Sequence, residues 1–154
     1  MRLSRLIATF FFIGYAKIAP GSIASLVTTL LVYFFSKDLN SYLFVFTILL
    51  TTISAFYAIG VYTYGLIDKD RSEIVIDEVI GQSIALLPLL FFEEPKFTEL
   101  NICVISLFFF RFFDIIKPYP INIFDKMNNT FGVIFDDILA GAFSAILLTL
   151  VLSF

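Results

Sequence analysis

Charged residues cut this chain into long apolar windows. Ile18 to Ser36, Leu39 to Ile67, Val79 to Phe92, Leu100 to Phe110 and Ile138 to Phe154 carry no charge at all. A helix needs ~20 apolar residues to cross the ~30 Å core of a bilayer. The windows therefore predict an all-α polytopic membrane helix bundle in one domain, residues 1–154, with about five spanning helices at 21–36, 40–67, 74–92, 98–117 and 133–153. The third and fourth reach full length only by taking charged positions into the helix ends. The first apolar run, Leu3 to Tyr15, is too short to span. Gly14, Lys17, Pro20 and Gly21 break the chain between this run and the first span, which predicts an interfacial or re-entrant helix and no cleavable leader. Pro20, Gly21 or Ser22 is expected to cap the next helix.

Five spans alternate the connections between two sides. Residues 1–20, 68–77 and 117–133 fall on one side; 37–39, 93–97 and the C-terminus fall on the other. The acids Asp77, Glu78, Asp114, Asp125, Asp136 and Asp137 all gather on the first side. So do Arg2, Arg5, Lys17, Lys69, Arg71, Arg111, Lys117 and Lys126, against Lys37 and Lys96 opposite. Basic residues favour the cytoplasmic side, so the acid-bearing face is expected to be cytoplasmic. Glu93, Glu94 and Glu99 have no special spacing and read as a solvated loop. Asp77 precedes Gly81 by four residues and Asp137 precedes Gly141 by four. The two do not make a repeat, but glycines there would let helices approach closely.

Composition strengthens the membrane reading and narrows the chemistry. The chain is 60% hydrophobic with 21 phenylalanines and 15% charged residues, where soluble domains carry about 25% charge. Its net charge of −3 offers no basic footprint for nucleic acid. There is no histidine. This excludes Ser-His-Asp triads, phosphohistidine intermediates and imidazole metal sites. The single cysteine, Cys103, lies in an apolar run with Phe, not Arg, six residues on, which excludes cysteine phosphatase chemistry. Carboxylates, Lys, Arg, hydroxyls or a metal must carry any reaction.

Three constellations are candidates. In Glu73-Ile-Val-Ile-Asp77-Glu78-Val-Ile-Gly81-Gln82, a helix would stack Glu73 one turn below Asp77 with Glu78 adjacent. The helix dipole favours acids at a helix start, but accounts for one acid there more readily than three among Ile and Val. In Arg111-Phe-Phe-Asp114-Ile-Ile-Lys117-Pro118-Tyr-Pro120, spacings of three place Arg111, Asp114 and Lys117 on one polar stripe. Asp114 can pair with Arg111; the leftover Lys117 then needs an anion, and a phosphate would serve. Asp125 is followed by Gly132-Val-Ile-Phe-Asp136-Asp137-Ile-Leu-Ala-Gly141, where Asp136 and Asp137 open the last predicted span. The dipole could explain these two as well. Adjacent acids point about 100° apart on a helix, so one can face a site while the other meets solvent or a loop.

Acids in apolar segments cost about 2.5–3.5 kcal/mol each. Six on one side of a small bundle resemble a carboxylate cage, and a hard divalent cation would relieve their repulsion. Oxygen-only ligands select Mg²⁺, or Mn²⁺ second. With Lys117, Arg111 and Lys17 nearby, phosphoryl transfer to water is the expected chemistry.

The order of these motifs resembles the phosphatidylglycerophosphatase A family. The resemblance rests on Ala19-Pro20-Gly21-Ser22-Ile-Ala-Ser25-Leu26, on Glu73 to Gln82, and on Phe110 to Ile121 with Phe124-Asp125 and Gly132 to Gly141, covering about residues 7–148. It implies a Mg²⁺-dependent, multi-pass phosphatase of the bacterial inner membrane. Such an enzyme removes the terminal phosphate of phosphatidylglycerophosphate in phospholipid biosynthesis. It carries over Asp77, Glu78, Asp114, Lys117, Asp125, Asp136 and Asp137; Arg111 and Lys17 are added from charge alone. Two positions depart from the family pattern: Asn129-Thr130-Phe131 stands where a Gly-Gly pair is common before Gly132, and Tyr119 stands where Trp is common. Neither touches a carboxylate.

The expected roles are then Asp77, Glu78, Asp114 and Asp137 as metal ligands, and Asp136 or Asp125 orienting the attacking water. Lys117, Arg111 and Lys17 would hold the phosphate, and the lipid tails would lie against Phe-rich helix faces. A divalent-cation transporter or channel could use the same carboxylates, but predicts acids at mid-membrane depth and on both faces. A small membrane scaffold with acids as helix caps predicts that replacing them costs stability only.

Overall fold

The computed structural model describes residues 2–67, 71–92 and 97–153. Lys69, Glu93, Glu94 and Lys96 lie outside the described residues, so the expectations placed on them are not addressed further. Among the described residues the chain is all helical, without strands. The helices are α1 (Arg2–Ala8), α2 (Pro20–Phe35), α3 (Ser41–Tyr62), α4 (Ile76–Ala85), α5 (Leu87–Phe91), α6 (Glu99–Ile116), α7 (Ile121–Asp125) and α8 (Thr130–Ser153), with a 3₁₀ turn at Ile13–Tyr15.

Two of these, α3 and α8, are long and apolar enough to cross a membrane. Helix α3 starts where the Asn40 side chain accepts from the N–H groups of Tyr42 and Leu43, at 3.0 and 3.2 Å. It buries Phe44, Ile48, Ala55, Ala58 and Ile59. Its other face leaves Leu43, Phe46, Leu50, Ile53 and Tyr57 more than half exposed. An exposed apolar stripe of this length marks a surface made for something other than water.

The expected count of about five spanning helices is not confirmed: among the described residues the other predicted spans form shorter, broken or more charged helices. The 74–92 span is two helices, α4 and α5, broken at Leu86 two residues ahead of Pro88. Proline cannot donate a backbone hydrogen bond and clashes with the preceding turn, so α4 stops there. The loop 117–133 contains the unpredicted α7. Helix α2 has Ala19 as its N-cap, at φ 45° and without a side-chain bond, and Pro20 as its first residue. Ser22 therefore lies inside the helix rather than capping it. The first apolar run is helical only over α1, then turns through Phe10, Phe11 and Phe12, all at positive φ. Glu99 is not part of a solvated loop: it opens α6 and accepts from Ser36 Oγ at 3.0 Å.

Helix α8 is the axis of the bundle. It packs most extensively on α4 and then on α6, with α3, α5 and α7 also against it. Helix α2 covers α4 and α6, and α1 lies on α3. The N-terminal turn is fastened to the segment before α4, since Val75 N–H donates to Ala8 C=O at 3.0 Å.

Candidate active site

The packing of α4 on α8 sets the site. A Cβ added to Gly141 would run into the backbone of Gly81, and one added to Gly81 would meet the Asp137 carbonyl and the Phe110 ring. Only glycine permits this approach, which puts the two helix backbones in contact. Each glycine lies four residues, about one turn, after an acid. Contact between the glycines therefore brings Asp77 and Asp137 together. The paired Asp-x-x-x-Gly spacings in the sequence carry this register.

Carboxylate oxygens of Asp77, Glu78 and Asp137 lie within 4.8 Å of one another. Asp77 and Glu78 sit in the first turn of α4, as the dipole argument expects. The Glu78 carboxylate is accommodated against Gly21 of α2, where any Cβ would overlap it. Its Oε2 is buried without a hydrogen-bond partner. Asp136 and Asp137 do not open their helix. Helix α8 begins at Thr130, so both lie in its second turn, and the dipole explanation does not reach them. Both are buried, at 7% and 4% exposure, and both face the cleft. This replaces the expectation that one of them meets solvent.

The acids line a cleft of about 240 Å³. Asp114, Arg111 and Lys117 from α6 and its exit also line it, as do Ala19, Pro20 and Gly21 at the start of α2. The three sequence clusters, assigned to one side by counting spans, thus converge in one cavity. Arg111 Nη1 is 2.7 Å from Asp114 Oδ2. The alignment does not make a hydrogen bond, and both Nη1 and Nε of Arg111 are buried without acceptors. Asp114 stands in electrostatic reach of Glu78 and Asp137 but outside the close trio.

Lys117 is not the uncommitted cation that its stripe predicts. It is the C-cap of α6 at φ 47°, a left-handed conformation that costs a non-glycine residue about 1–3 kcal/mol. That turn swings it off the helix face toward α7 and α8. Its Nζ binds Asp136 Oδ2 at 2.7 Å and also Asp125 Oδ1. The other Asp136 oxygen accepts from the Asp137 N–H at 2.9 Å. Asp125, at the end of α7, is joined to the site only through Lys117 and does not line the cleft. Lys17 is exposed and does not line it either.

Glu73 also departs from expectation. Helix α4 begins three residues after it, so it cannot stack under Asp77. It pairs instead with Arg71 at 2.6 Å and accepts from the Tyr62 hydroxyl at 3.2 Å. Arg71 and Ser72 line the cleft and were not foreseen. The available signal was the span count, which puts residues 68–77 on the acid side.

The trio offers oxygen donors only, and one of its oxygens is an orphan in a buried place. Such a set, crowded within 4.8 Å, fits a hard divalent cation. Comparison with known proteins gives the family. The family profile of Phosphatidylglycerophosphatase A matches residues 6–152. The chain belongs to the phosphatidylglycerophosphatase A family. Membership brings phosphatidylglycerophosphatase activity with it, and the expected resemblance is borne out along nearly the whole chain. A Haemophilus influenzae protein named Phosphatidylglycerophosphatase A is 33% identical over 142 residues, 92% of this chain and 83% of that protein. A Bacteroides thetaiotaomicron protein, provisionally named phosphatidylinositol-3-phosphatase, is 32% identical over 155 residues, 93% of this chain and 89% of its own. No solved structure matches.

Proposed function

We propose that this protein hydrolyses the terminal phosphomonoester of phosphatidylglycerophosphate, releasing phosphatidylglycerol and phosphate, with Mg²⁺ held by Asp77, Glu78 and Asp137. The observation that carries the reading is the convergence of these three acids, Asp77 and Asp137 buried and Glu78 half-buried, beside the guanidinium of Arg111. Mg²⁺ bound there would offset the crowded carboxylates and polarise a phosphoryl oxygen. Arg111 takes the main share of phosphate binding, because it lines the cleft and its buried Nε makes no hydrogen bond. Lys117 contributes from the cleft wall while holding Asp136 in place. Asp136 orients the attacking water, and Asp114 sets the direction of the Arg111 guanidinium. Arg71 at the rim adds positive charge where the substrate enters.

In this reading α2, α3, the α4–α5 pair, α6 and α8 are five spans of a bacterial inner membrane protein, and the cleft opens to the cytoplasm. The eight basic residues assigned to the acid-bearing side support that orientation. A second substrate is suggested by the name of the Bacteroides relative. Phosphatidylinositol 3-phosphate also presents a phosphomonoester on a diacyl lipid.

The deciding experiment measures phosphate release by the purified protein from phosphatidylglycerophosphate, phosphatidylinositol 3-phosphate, phosphatidate and soluble phosphomonoesters. Turnover is expected with Mg²⁺, greatest on phosphatidylglycerophosphate, and lost in EDTA. Turnover that persists in EDTA sinks the metal assignment, and cation flux into liposomes without phosphate release favours a carrier.

A further inference from the structure

The acidic cleft is too small for a whole lipid. Its volume of about 240 Å³ is below the ~300–1,000 Å³ of pockets that enclose drug-sized ligands. The cleft fits a phosphate and part of a glycerol, so the acyl chains must lie elsewhere. A second hollow, of about 270 Å³, runs along α6 and is lined by Phe108, Arg111, Phe112, Ile115 and Ile116. These positions are i, i+3, i+4, i+7 and i+8, one face of a helix. Arg111 lines both hollows.

We infer that this groove seats one acyl chain of the substrate, and that Arg111 marks the crossing from chain to phosphate. The inference rests on the lipid phosphatase reading above. Four observations favour an acyl chain over any other occupant. The groove wall is apolar apart from Arg111. It lies on the outward side of α6, with Phe108 64% and Ile115 71% exposed. From Phe108 to Ile116 it covers about 12 Å of helix, enough for a stretch of extended chain. The groove also joins the cleft at Arg111, which lines both and whose buried Nε makes no hydrogen bond.

The apolar stripe of α3 lacks that junction and would meet bulk lipid. The Phe108 and Phe112 rings, with centroids 6.3 Å apart, form a continuous wall. The arginine stem can lie along it while its head turns to the phosphate. Binding energy from a chain remote from the reacting phosphorus would then position the phosphate for attack.

The test compares dioleoyl with dihexanoyl phosphatidylglycerophosphate in detergent micelles containing Mg²⁺, on the full chain. The Phe108→Ala/Phe112→Ala protein is expected to lose about tenfold in kcat/KM on the long-chain substrate, mainly through KM, and less than about twofold on the short one. Ile115→Trp fills the groove without removing apolar surface and is expected to show the same selectivity. Equal losses on both substrates in both variants, or no loss on either, overturn the inference. If the unaltered protein releases no phosphate from either substrate, it is the enzymatic reading that fails. The groove is then judged by label transfer from a phosphatidate carrying a diazirine in its acyl chain. Label concentrated at residues 108–116, and reduced in the double variant, supports it. Label spread alike over α3 and α6 overturns it.

Discussion

Two groups of carboxylates, in the cleft and beside it, are neutralised differently. Asp125 and Asp136 share the ammonium of Lys117, and Asp114 lies against Arg111. The trio of Asp77, Glu78 and Asp137 is held together by backbone packing, and among the described residues no ion pair reaches Glu78 or Asp137. A carboxylate with a lysine partner is already compensated and serves to place that lysine. Carboxylates pushed together by a glycine contact gain nothing from one another, and their proximity makes sense when a cation binds. The first group is mainly architecture around the site, with Asp136 alone also orienting the attacking water in the proposed reaction; the second is where the metal chemistry is expected.

The strongest way to break this comparison is to remove one acid at a time from the trio. Asp77→Asn and Asp137→Asn are expected to lower phosphatidylglycerophosphate turnover by about 10³-fold or more, since a lost metal contact forfeits several kcal/mol of charge stabilisation. Added Mg²⁺ should restore part of it if affinity is what falls. Phosphate release assayed over a Mg²⁺ titration decides this. Turnover unchanged in both variants would remove the trio from the mechanism.

Next in size is the packing that creates the trio. Gly141→Leu forces side-chain atoms into the Gly81 backbone and separates α4 from α8. Overpacking of this kind costs about 1–3 kcal/mol, read as a lower unfolding midpoint in detergent. Activity should fall further than stability, because Asp77 and Asp137 move apart with the helices. A variant that is destabilised but fully active would show that the trio does not depend on the glycine contact.

This contact also shows what the sequence could convey. The expected spans located α2, α6 and α8 to within about three residues and α3 to within about five, because apolar length is additive along a chain. Counting spans placed the acids on one side, and in the cleft they meet. Asp77-x-x-x-Gly81 and Asp137-x-x-x-Gly141 were visible, but their apposition depends on which helices are neighbours, a tertiary fact. The fate of Lys117 was hidden for a similar reason. Spacing of three assumes a continuing helix, whereas Pro118 ends it and the left-handed turn carries Lys117 to α8. Glu73 misled because the Ile-Val-Ile run around it looks helical, while Val75 is bonded to the N-terminal segment instead.

Within the compensated group the effects should be smaller and graded by exposure. Lys117→Met leaves Asp136 buried without its cation and is expected to cost about 1–2 kcal/mol, between the values for exposed and buried pairs. Asp125→Asn removes a partner that is 36% exposed and should cost less than about 1 kcal/mol. Denaturation in matched detergent measures both. A larger loss for Asp125→Asn than for Lys117→Met would mean that α7, not the lysine, organises this side of the cleft.

The smallest effect belongs to Lys17, which was expected to help hold the phosphate. It is exposed and outside the cleft, whereas Arg111 lines the cleft with a buried Nε that makes no hydrogen bond. A charge in water acts weakly at a distance and is screened by salt within about 8–10 Å. Lys17→Ala should therefore leave KM within about twofold and stability within about 0.5 kcal/mol. Arg111→Lys, which keeps the charge but loses the planar fork, should raise KM well beyond that. If Lys17→Ala were the more damaging of the two, the phosphate would have to enter from the α2 side, and the division between architecture and chemistry would need to be reversed.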